Sequence, residues 1–117
     1  MGWADAVGPE TLTEPAAGSG KYMAAGISAN PRETLAFIFE RTDTPTESWG
    51  VEIYAGLADG TWGAVPVSSR RWEAANPEGN IAVTGYPWYI ARALNVDASP
   101  VDVVVVNVTY RKDRVSL

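Results

Sequence analysis

The chain has 117 residues, with no cysteine and no histidine, a formal net charge of −5 and a pI near 4.6. The length suits one domain, which buries roughly 65% of the surface its unfolded chain exposes and so folds without disulfides or metal. The missing residue types exclude Ser-His-Asp and Cys-His catalysis within this chain, thiol chemistry and the preferred zinc ligands. The acidic balance disfavours a basic nucleic-acid surface.

Met1 to Ala6 has no basic region and no long apolar core, so no secretory signal is expected. Ala6 stands where a myristoylation motif needs Ser or Thr. No apolar run approaches the roughly 18 residues of a membrane span. Residues 1–20 are broken by Gly8-Pro9, Glu14-Pro15 and Gly18-Ser19-Gly20 and read as an extended N-terminal arm rather than a packed element. Trp3 in that arm suits an anchor on its own domain or on a neighbouring subunit, the alternative being a loosely ordered terminus.

The β domain is expected over 21–117. Lys21 to Ser28 reads as a first strand with Tyr22 and Ile27 inward, followed by a turn at Asn30-Pro31. Thr34 to Arg41 is a second strand, with Leu35, Phe37 and Phe39 on one face and Ala36, Ile38 and Glu40 on the other. Thr42 to Ser48 is a polar loop. Trp49 to Leu57 alternates Val51, Ile53, Ala55 and Leu57 against Glu52, Tyr54 and Gly56. Asp59-Gly60 predicts a tight turn, with Thr61 to Val67 returning as the partner strand and Pro66 marking its end. Ser68 to Ala74 fits a short strand or a loop, and Asn76 to Asn80 a turn.

Ile81 to Thr84 is short and β-branched, and Trp88 to Val96 reads as a strand despite its helical-looking Ile-Ala-Arg-Ala-Leu. Val101 to Lys112 is nearly saturated with β-branched residues. Val104, Val106, Val108 and Tyr110 share its core face, and the turn at 97–100 makes it the second arm of a hairpin with Trp88 to Val96. No helix of ten or more residues is indicated. The expectation is an all-β fold, a single antiparallel β-sandwich of jelly-roll or Ig-like type.

The 14 carboxylates fall mostly in turns or on outward parities, such as Asp43, Glu47, Glu52, Asp97 and Asp102. They suggest neither a glycosidase pair nor a calcium loop, since Asp59, Asp97 and Asp102 match no loop spacing. The basic run Arg111 to Arg114 is interrupted by Asp113 and reads as a solvated strand end. Asn107-Val108-Thr109 matches a glycosylation sequon inside a strand and reads as coincidence. No enzyme activity, cofactor or metal is expected.

The five tryptophans carry more information. Trp and Tyr are favoured at interfaces and also form stacking platforms for sugars. Trp49 and Trp88 sit at strand starts and suit core or rim packing, whereas Trp62 and Trp72 follow the Asp59-Gly60 turn and suit contact with a partner. Leu35 to Phe39, Trp88 to Val96 and Val101 to Val106 are apolar on both parities. A lone sandwich needs one apolar face per strand, so a second subunit is expected to cover Val103 and Val105.

The chain resembles capsid decoration (cement) proteins of tailed bacteriophages. The resemblance rests on the Gly/Pro-rich segment Ala6 to Gly20 ahead of a compact β domain, on Trp49-Gly50-Val51-Glu52-Ile53-Tyr54 with Asp59-Gly60-Thr61-Trp62, and on Trp88 to Asn95 with Val103 to Lys112. It implies a dimer or trimer on the virion capsid surface, present in the host cytoplasm during assembly. The partner would be the major capsid protein lattice, with no nucleic acid and no membrane. The contact residues expected are Trp3, Val7, Leu12 and Tyr22 from the arm, and Trp62, Arg70, Arg71 and Trp72 from the loops. The competing expectation is a carbohydrate- or receptor-binding β-sandwich module.

Overall fold

The computed structural model describes residues 2–3, 5–14, 20–42, 48–73, 78–95 and 104–114. Its strands are β1 (Gly2–Trp3), β2 (Val7–Glu14), β3 (Lys21–Tyr22), β4 (Ile27–Ser28), β5 (Thr34–Arg41), β6 (Trp49–Ala58), β7 (Thr61–Trp62), β8 (Ser68–Trp72), β9 (Glu78–Thr84), β10 (Trp88–Asn95) and β11 (Val104–Arg114). The described residues form an all-β, sandwich-like structure of two antiparallel sheets. In the first sheet β11 lies between β5 and the pair β1/β2, and β9 forms the far edge. In the second, β10 lies between β6 and the pair β3/β4, and β7 and β8 follow one another along the far edge of β6.

Period-two alternation fills the space between the sheets. Leu35, Phe37 and Phe39 of β5 and Val106 and Val108 of β11 are fully buried and face Trp49, Val51, Ile53, Tyr89, Ala91 and Ala93 of the second sheet. Phe37 and Phe39 are parallel at 5.8 Å, and Trp72 stacks on Trp49 at 4.4 Å. The Asp59-Gly60 turn joins β6 to β7 as the sequence predicts, with Gly60 at φ +80°, a conformation a residue with a Cβ rarely takes.

Two open sides remain between the sheets, and each is closed by a polar bond. On one, Arg70 Nη1 of β8 donates to the Asn80 carbonyl of β9 at 3.2 Å. On the other, Glu10 Oε2 of β2 accepts from the Ala24 amide at 2.7 Å.

Several expectations are corrected. Residues 7–14 are not a free arm: they pair with β11 from Val104 to Tyr110, and Leu12 is buried in the core. The segment is extended, but the unpaired edge of β11 takes it up. β10 and β11 are not a hairpin. They lie in different sheets, because β11 finds its partners in β2 and β5 and β10 in β3, β4 and β6.

Tyr22 points outward at 40% exposure, and Met23 takes the inward position instead. Of Thr61 to Val67, only Thr61–Trp62 is regular strand; Gly63 and Val67 keep single amide bonds to the Ala55 and Ile53 carbonyls of β6, and the expected turn at 76–80 is already strand from Glu78. Leu57, expected on the inward face, is exposed beside the turn.

Candidate functional site

The sheet faces that look away from the core differ sharply. The outer face of the first sheet presents Thr11, Thr13, Asn107, Glu40, Asn80, Ala82 and Thr84, with Ile38 as its exposed large apolar residue. The outer face of the second sheet is aromatic and charged. Its rows follow from strand register: Ser28, Trp88, Gly56 and Trp62 share one, and Tyr22, Arg92, Glu52 and Ser69 another. Ile90 and Tyr54 face one another between them.

Arg92 organises this face. Its Nε lies 3.3 Å from Glu52 Oε1, an ion pair without hydrogen-bond alignment, and its Nη1 donates to Tyr22 Oη at 3.4 Å. The guanidinium sits 5.5 Å from the Tyr22 ring centroid, and the side chain crosses the space a Cβ on Gly20 would fill. Tyr54 Oη donates to Glu52 Oε1 at 3.1 Å. Burial, then the Glu52 hydrogen bond and charge, push the Tyr54 pKa above its ordinary value. Burial opposes the Arg92 charge, but the Tyr22 hydroxyl and the Glu52 carboxylate outweigh it and raise its pKa. At the other end of the face the Trp62 indole reaches Gly26, 2.7 Å from where a Cβ would stand.

Beside Arg92, a shallow depression of about 260 Å3 has Gly50 in its lining, together with Glu52, Ser69, Arg71 and Leu94. A second groove, of about 420 Å3, runs along the open side between β8 and β9. Val67, Ser68, Ala82, Val83, Thr84 and Tyr86 line it.

The structure sorts the expected contact residues. Trp3 and Val7 are half exposed on the β1/β2 edge, Tyr22 is exposed, Trp62 is half buried, and Arg70 and Arg71 are exposed. Leu12 and Trp72 are not surface anchors, because their strand parity turns both into the core, at 1% and 6% exposure. Trp49 is core, and Trp88 lies half buried on the outer face.

Val103 lies outside the described residues, and Val105 is half buried within the single chain. Ile90 and Tyr54, on the outward parity, are already covered by this chain at 7% and 9% exposure. The two-faced apolar pattern of β10 therefore does not require a second subunit. The Arg92–Glu52–Tyr54–Tyr22 group was not foreseen. Its one sequence signal is that Glu52, Tyr54 and Arg92 have outward parity in adjacent long strands.

Among the described residues no three His, Cys, Asp or Glu side chains are grouped to hold a metal ion, and no helix is long and apolar enough to cross a membrane. No protein-family model matches the chain, and no curated protein matches it.

Proposed function

We propose that the chain is a non-enzymatic structural virion protein that decorates and stabilises a phage capsid by bridging neighbouring major capsid proteins. The observation that carries this reading is the outer face of the second sheet. An antiparallel sheet normally leaves such a face polar and solvated, yet here it holds Tyr22, Trp62, Trp88 and Arg92, the residue types that dominate binding hot spots. Arg92 is held by Glu52 and Tyr22, so little side-chain entropy remains to be lost on docking. Several copies on one oligomer turn modest single contacts into avidity.

The strand order supports a jelly roll over an Ig-like sandwich. Apart from the neighbours β1/β2, β3/β4 and β6/β7/β8, which share a sheet, the chain crosses between sheets at each step, giving β2-β11-β5-β9 opposite β3/β4-β10-β6-β8. Two interlocked Greek keys produce this order, an architecture found in viral capsid and lectin domains.

Co-sedimentation with purified capsids tests the reading. Saturable binding is expected, reduced at least tenfold when Tyr22 and Trp62 are both changed to Ala. Failure of the wild-type chain to co-sediment sinks it. A second reading, a carbohydrate-binding module, is favoured by the depression lined by Gly50, Glu52 and Arg71, with exposed Tyr22 in the same row as Glu52 across Arg92. Glycan-array binding lost in Arg71→Ala, with no capsid binding, would decide for it.

A further inference from the structure

The edge of a sheet presents unpaired N–H and C=O groups, and folded chains blunt it with short strands, proline, or Lys and Arg. Most edges here are blunted in these ways. β1, β3, β4 and β7 have two residues each, β2 carries Pro9 after a positive-φ Gly8, and β8 carries Arg70 and Arg71. β9 differs. It runs seven residues, Glu78-Gly79-Asn80-Ile81-Ala82-Val83-Thr84, without proline, lysine or arginine. Among the described residues it pairs with β5 alone.

Two bonds show which way its backbone groups point. The Asn80 carbonyl accepts from Arg70 on the open side, so it is turned away from β5. The Gly85 amide, five residues on, donates to the Pro31 carbonyl on the β5 side. Backbone groups alternate in direction along an antiparallel strand. Gly79, Ile81 and Val83 therefore bond Phe39, Phe37 and Leu35, while Asn80, Ala82 and Thr84 turn theirs to the open edge. Arg70 takes the Asn80 carbonyl. The N–H and C=O of Ala82 and the N–H of Thr84 remain, and both residues are exposed. They open on the groove of about 420 Å3, with Val67, Ser68 and Tyr86 also in its lining. Edge backbone and the Ser68 hydroxyl make this groove polar, which suits a peptide main chain better than an apolar surface.

We infer that β9 takes up an extended segment of a partner protein as an added antiparallel strand. The main chain of that segment bonds Ala82 and Thr84. Its alternate side chains enter the groove against Val67 and Tyr86, and β-branched residues suit that extended conformation. Main-chain bonds supply the affinity and the groove selects side chains. The site lies in the first sheet, apart from the outer face of the second, so its test does not depend on capsid binding.

The probe is a library of short acetylated peptides of random sequence, screened with the labelled full chain. Bound peptides are expected to lack proline and to carry β-branched residues at alternate positions. N-methylation of one bound peptide, residue by residue, should weaken binding by about tenfold or more at every second position and little at those between, since each effective methyl removes a main-chain bond. In the free chain the Ala82 and Thr84 amides should exchange hydrogen quickly and those of Ile81 and Val83 slowly. Saturating peptide should protect Ala82 and Thr84.

Ala82→Pro removes an amide that faces away from β5, a position where an edge strand accepts proline. It should keep the wild-type circular dichroism and lose peptide binding. The N-methyl series and the exchange measurement use wild type, so they decide even if this variant folds poorly. A library without binders, binding indifferent to N-methylation, or Ala82 and Thr84 amides already protected in the free chain, as pairing with a second copy would make them, overturns the inference.

Discussion

Trp72 lies flat against the backbone of Gly79, in the space that any side chain at 79 would occupy. The contact joins β8 of one sheet to β9 of the other and continues the stack from Trp49, 4.4 Å from Trp72, towards Phe39 at 6.2 Å. Gly79→Ala must displace a large buried ring. Overpacking of this kind costs about 1–3 kcal/mol. A clear fall in thermal midpoint is expected, and an unchanged midpoint would show that the ring sits elsewhere.

Leu12 anchors β2 in the core, at 1% exposure, while Thr11 and Thr13 on either side are exposed. Leu12→Ala should cost about 2–3 kcal/mol, the lower part of the range for core Leu truncation because an edge strand can relax. Thr11→Val, which loses only a 2.7 Å bond to Asn107 on the surface, should change stability by under about 1 kcal/mol. Denaturant unfolding of both variants checks this. Equal, small effects would mean that β2 is not part of the folding unit.

Tyr54 and Tyr89 set the alkaline limit. Burial raises both pKa values above 10.0, with the Glu52 bond and charge adding to the shift at Tyr54 and the Tyr86 amide partly offsetting it at Tyr89. The folded chain therefore holds these protons more tightly than the unfolded chain. The stability they contribute is complete below pH 10 and is lost as pH rises through the folded values. Absorbance at about 295 nm should show part of the five-tyrosine signal appearing late, together with unfolding. Glu52→Gln should bring Tyr54 ionisation to lower pH and leave Tyr89 unchanged.

The Glu10 bond to the Ala24 amide predicts a local effect. Glu10→Ala should raise hydrogen exchange at Ala24 several-fold with little change in global stability, since a single such bond is worth about 1 kcal/mol. Arg70→Ala, on the opposite open side, should leave Ala24 exchange unchanged. Equal exchange in both variants would show that the Glu10 carboxylate does not hold that loop.

Local pattern made much of the fold legible. The alternation at Leu35, Phe37 and Phe39 reads directly as a buried face, and all three are at 0% exposure. Val106 and Val108 follow the same logic, and Asp59-Gly60 marks a hairpin turn whose strands do pair locally. The C-terminal hairpin failed for a physical reason. A turn signal says that the chain reverses, not whether the returning strand pairs with its neighbour or crosses to the other sheet. The outward reading of Trp72 and Leu12 fails likewise, because the parity of a segment without clear alternation is fixed by its pairing partner. For Trp72 that partner is Trp49, 23 positions earlier, and for Leu12 it is Val106.

By itself the sequence determined that the chain would be β throughout and that histidine and thiol chemistry were closed to it. It also showed which face of β5 and of β11 would turn inward, because side-chain period and β-branching act between residues two apart. Only the tertiary structure decided the strand order, the uptake of residues 7–14 by β11, and the Arg92–Glu52–Tyr22–Tyr54 group. Those depend on backbone pairing between segments far apart in the chain. Such pairing is settled by which edges remain open once the core has closed.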